Sequence, residues 1–86
     1  MIFWITIKDG YKNHKLLVEH IPINNHKERF KISGRDKYII LESNRPFFRT
    51  KGLKYRKPDW KIVEGEVKYA GGLLDEVKEA INALYP

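Results

Sequence analysis

The chain has no cysteine, and only one methionine and four prolines, among its 86 residues. Without thiols there is neither a disulfide framework nor a thiolate-held metal. A small secreted domain usually relies on such staples, so the expectation is a cytoplasmic protein. Long hydrophobic runs are missing as well. Ile2–Ile5 is apolar, but Thr6 and Lys8 interrupt it, no basic residue precedes it and no small-residue cleavage site follows. The run is too short for a signal-peptide core or a bilayer crossing. There is no internal repeat, low-complexity tract or linker. Ser33 and Ser43 have no nucleophile elbow around them, and Gly71-Gly72 comes without a P-loop lysine or Rossmann spacing. These absences point to a non-enzymatic chain with no cofactor.

What remains is a folded composition, 42% hydrophobic and 13% aromatic. It is too apolar for disorder and sized for one domain over residues 1–86. A chain of this length buries roughly 60–65% of its unfolded surface, so its core is thin and the rings matter.

Residues 1–70 read mainly as strands. Ile2–Lys8 begins apolar on both faces, which predicts a central or doubly covered strand. Asp9-Gly10 turns the chain, Lys15–Ile21 is the second strand, and Pro22 ends it. Glu28–Ser33 alternates cleanly, with Phe30 and Ile32 facing in and Arg29, Lys31 and Ser33 facing out. Lys37–Glu42 is the fourth strand, and the short spacing predicts an antiparallel meander. Pro46 cannot donate to a ladder, so Phe47–Thr50 is expected as a short edge strand or loop, with Gly52 as a turn. Trp60–Val63 reads as a further strand, and Glu64-Gly65 reverses it into Val67–Tyr69.

Residues 73–85 show helical periodicity after the Gly71-Gly72 boundary. Leu73, Leu74, Val77, Ala80, Ile81 and Leu84 share one face, and Asp75, Glu76, Lys78, Glu79 and Asn82 lie opposite. The predicted fold is therefore α+β: an antiparallel sheet of about five strands with one C-terminal amphipathic helix packed across one face. A small half-open barrel around the helix is the alternative. One helix covers one side of a sheet, so the second side is a possible homodimer interface.

Charge is unevenly spread. Residues 45–61, RPFFRTKGLKYRKPDWK, hold seven basic residues against Asp59 alone, a net +6 that equals the charge of the whole chain. Residues 1–44 carry +3 and residues 62–86 carry −3. Cations interleaved with Phe47, Phe48, Tyr55 and Trp60 suit a polyanion, most commonly nucleic acid. The expected contacts are Arg45, Arg49, Lys51, Lys54, Tyr55, Arg56, Lys57 and Lys61. Arg45 and Arg49 would grip phosphates bidentately, Lys51, Lys54 and Lys57 would act as point charges, and the rings would serve as stacking platforms. Binding would be mainly to the phosphate backbone, with no base code in view. The rival expectation is a protein-interaction or structural module that dimerises through the uncovered sheet face, disrupted by a charge at Trp4.

Two smaller patterns carry less. His14, His20 and His26 have no carboxylate or thiol at ligand spacing, and His20 is expected as a hydrogen-bonded structural or surface side chain. Pro58-Asp59 followed by Glu66-Val67-Lys68 resembles the PD…(D/E)xK metal-dependent nucleases. That resemblance implies Asp59 and Glu66 on Mg²⁺ and Lys68 assisting the attacking water. A tight hairpin at Glu64-Gly65 would put the two acids about 13 Å apart, too far for one metal.

Overall fold

The structure is a computed structural model that describes residues 1–9, 11–34, 37–52, 57–65 and 73–84. The elements, in chain order, are β1 (Ile2–Asp9), β2 (Lys12–Pro22), β3 (Glu28–Ser33), β4 (Tyr38–Ser43), α1 (Arg45–Lys51), β5 (Trp60–Glu64) and α2 (Leu73–Leu84). The five strands pair antiparallel in sequence order, β1-β2-β3-β4-β5. This is the predicted meander with a C-terminal helix on one face. Among the described residues β1 and β5 are its edges, so the sheet is open rather than the half-open barrel of the alternative.

Strand alternation decides the two faces. Ile5, Ile7, Leu16, Val18, Phe30, Ile32, Ile39 and Leu41 point inward and are buried, and Val77 and Ile81 of α2 close over them. Leu74 and Ala80 pack at the margin of this core, as the helical spacing predicts. Each fully buried aliphatic side chain contributes about 1.5–3 kcal/mol of transfer free energy. Leu84, assigned by periodicity to the same face, is instead exposed, because it extends past the packed turns of the helix.

The opposite face carries no helix among the described residues. Its register places Trp4, Leu17, Ser33 and Tyr38 in one row across β1–β4. Ile2, Glu19, Lys31, Ile40 and Glu64 form the next row, and Ile21, Arg29, Glu42 and Lys61 the row beyond it. The expectation that the first strand is central or covered on both sides is corrected here. Among the described residues β1 is an edge strand, and Ile2 and Trp4 are each 61% exposed on the face that carries no described helix.

The segment expected as a short strand from Phe47 is the helix α1. Pro46 falls in its first turn, where a missing N–H costs nothing and the fixed φ is already helical. Gly52 closes it in the left-handed region, φ 68°, and donates its N–H to the Arg49 carbonyl at 3.2 Å. Thr50 Oγ1 donates back to the Pro46 carbonyl at 2.9 Å, tying the two short turns of the helix together. Expectations for Val67–Tyr69, the Gly71-Gly72 boundary and Tyr85 lie outside the described residues.

Candidate functional site

Four strand ends meet in a line. Pro22 of β2 pairs with Glu28 of β3, Glu28 with Ser43 of β4, and Ser43 with Trp60 of β5. The turn of residues 23–27, helix α1 and the segment entering β5 therefore leave the sheet at the same end. Cross-links hold them there. Asn24 Oδ1 accepts the N–H groups of His26 and Lys27 at 2.7 and 2.9 Å, fixing the turn. The ring of His26 meets Phe47 of α1 edge-on at 5.4 Å, and Thr50 Oγ1 reaches the Asn25 carbonyl at 3.4 Å. Asn44, at the start of α1, exchanges two bonds with Asp59: its Oδ1 accepts the Asp59 N–H at 2.7 Å, and its own N–H donates to the Asp59 carbonyl at 3.3 Å.

This convergence gathers cations. Arg49, Lys51, Lys57 and Lys61 from the basic stretch all lie exposed at this end, and Lys27 of the neighbouring turn, which composition did not single out, joins them. Lys54, Tyr55 and Arg56 lie outside the described residues.

Arg45 departs from the expected role. It is only 6% exposed and turns inward. Its Nε donates to Glu28 Oε2, its Nη2 to Glu28 Oε1 at 3.3 Å and its Nη1 to Asn82 Oδ1 of α2 at 2.8 Å. The guanidinium also lies 5.1 Å from the Phe30 ring centroid and 5.6 Å from that of Trp60. Trp60 itself stacks on Phe30 at 5.7 Å and so packs against the core. His20 completes the cluster, its Nε2 2.9 Å from Glu28 Oε1, a hydrogen-bonded structural histidine as expected. The signal for this cluster was present at Glu28. It occupies an inward position of a strand whose other inward residues are Phe30 and Ile32, and a carboxylate there requires a buried cation or several donors.

The cluster shapes the surface electrostatics. Glu28 is almost fully buried and already bound, so it does little to offset Lys27 next to it, although Arg49 Nη2 comes within 3.8 Å of it. Glu42, on the other face, is held by Lys61 at 3.2 Å and Lys27 at 4.0 Å. The hydrogen bond from Lys61 lowers the Glu42 pKa, with the charges of Lys61, Lys27 and Arg29 adding to it against the opposing effect of burial. Tyr38 donates its hydroxyl to Glu64 Oε1 at 2.7 Å, and that bond and charge raise its pKa. A cleft of about 260 Å³ opens beside Lys27, Lys61, Glu42 and Asp59. Its balanced charges select no single small ion.

Asp59 presents an exposed side chain at this end, while Glu66 and Lys68, the other members of the nuclease-like pattern, lie outside the described residues. Among the described residues no three histidine, aspartate or glutamate side chains come together as a metal-holding group, and no helix is long and apolar enough to cross a membrane. No protein-family model, curated protein or solved structure matches the chain, so the site is read from its own chemistry.

Proposed function

We propose that this chain is a small, non-enzymatic nucleic-acid-binding domain that holds the phosphate backbone at the end of the sheet where α1 and the 23–27 turn meet. One observation carries the reading. The aligned termini of β2, β3, β4 and β5 bring Lys27, Arg49, Lys51, Lys57 and Lys61 to one end, where they outnumber the carboxylates: Glu28 is buried and bound by Arg45, Glu42 is buried and bound by Lys61, and Asp59 is exposed. A cationic end of this kind concentrates a polyanion and exchanges its counterions for ammonium and guanidinium groups. Arg45 has a supporting part: it neutralises Glu28 from within and leaves the surface field to the other cations.

Fluorescence anisotropy of a labelled oligonucleotide at low salt tests the proposal. Replacing Arg49, Lys51 and Lys57 together by glutamine weakens binding by about tenfold or more. Replacing Lys8 and Lys12, at the opposite end of β1 and β2, leaves the affinity nearly unchanged. Equal losses from the two sets would mean diffuse charge attraction and would overturn the assignment.

A further inference from the structure

The face that α2 leaves open bears two exposed rings in one row, Trp4 on β1 and Tyr38 on β4, 61% and 43% exposed. Three strand spacings, about 14 Å, separate them. They are too far apart to stack on each other, and each can take a separate planar partner. Lys31 places its ammonium 4.6 Å from the Tyr38 centroid. Lys15 stands on β2 one row from Leu17, the neighbour of Trp4, and Arg29 and Lys61 occupy the row that reaches the cationic end.

Acids on this face are mostly taken. Glu42 is bound by Lys61, Glu64 accepts the Tyr38 hydroxyl, and Glu19 lies directly opposite Lys31 in register. The Arg29 Nε is buried and has no hydrogen-bond partner. Cations interleaved with these acids thus run from the Lys27–Lys61 end onto a sheet surface that bears the exposed ring of Trp4 and the ring of Tyr38, one face of which lies under Lys31.

We propose that an unpaired nucleic-acid strand lies across this open face, with bases stacked on Trp4 and Tyr38 and its backbone running back to the cationic end. This rests on the nucleic-acid reading above and specifies the ligand as single-stranded. Ring faces distinguish the two forms of nucleic acid, because a duplex keeps its bases stacked inside and offers an aromatic side chain only its edges and backbone. A second copy of the chain suits the face less well. Lys8, Lys15, Arg29, Lys31 and Lys61 outnumber Glu19, Glu42 and Glu64 on this face and would meet the same excess on the partner, in a protein that carries +6 overall.

The test compares a twelve-residue oligothymidylate with a duplex hairpin of the same length, using tryptophan emission and anisotropy. The proposal expects tighter binding of oligothymidylate, quenched emission, and a loss of about tenfold for that probe alone in Trp4→Ala and in Tyr38→Ala, with Trp4→Phe retaining most of the affinity. Equal binding of the two probes, with Trp4→Ala silent, overturns the stacking face while the cationic end stands. Binding of neither probe overturns both readings. A concentration-dependent dimer in sedimentation, abolished by Trp4→Glu and accompanied by no quenching, gives the face to a second copy and also overturns the proposal.

Discussion

Arg45 and Glu28, 17 residues apart, form an ion pair whose side chains are 6% and 2% exposed, fixed between β3, α1 and α2. The pair joins the three elements that frame the cationic end. Asn82 binds the guanidinium from the helix, His20 binds the carboxylate from β2, and Phe30 and Trp60 flank the guanidinium.

Breaking this pair leaves a charge buried without compensation. Arg45→Met is expected to destabilise the fold by about 3–5 kcal/mol in urea denaturation. Adding Glu28→Gln recovers a substantial part of that loss, because the stranded carboxylate is gone. Additive losses in the double variant would show that the two groups act independently.

The two glycines with positive φ differ in their surroundings. Gly52, φ 68°, has open space where a Cβ would stand, whereas at Gly65, φ 90°, a Cβ would come within 2.5 Å of the Tyr38 carbonyl oxygen. Gly52→Ala is expected to cost about 1–2 kcal/mol, the left-handed strain alone. Gly65→Ala costs more, since β5 must also shift away from β4. Equal losses in thermal unfolding would contradict the close approach of these strands.

Much of the sheet was legible from single residues. The alternation of Phe30 and Ile32 against Arg29 and Lys31 is a local property, and it placed β3 and its faces correctly. The α2 stripe of Leu74, Val77 and Ile81 was readable for the same reason. Helix α1 is harder to see, because Pro46 also fits a strand breaker. With Asn44 before it and Gly52 after, the same proline marks a helix start. The edge position of β1 depends on pairing order, which its apolar pattern does not encode. The inward turn of Arg45 was hidden because its partners Glu28 and Asn82 lie 17 and 37 residues away. The basic stretch suggested a charged surface, but which of its cations reach solvent is decided by those distant contacts.

Glu42 makes stability depend on acid. Its folded pKa is lowered, chiefly by Lys61, so the Lys61–Glu42 contribution is present above the unfolded carboxylate value of about 4.3. It is lost as pH falls through the lower folded value. Glu42→Gln is expected to be less stable than the parent at pH 7, with the gap closing as both are titrated toward pH 3. A gap that stays constant over that range would remove the Lys61–Glu42 interaction from the account.

The salt dependence of oligonucleotide binding tests the central claim most directly. Engagement of four or five phosphates by Lys27, Arg49, Lys51, Lys57 and Lys61 predicts that log K falls linearly with log salt with a slope of about −3 to −4. The slope becomes shallower by about one unit for each of these cations replaced by glutamine. A slope near zero, or one that these replacements leave unchanged, would contradict phosphate recognition at this end of the sheet.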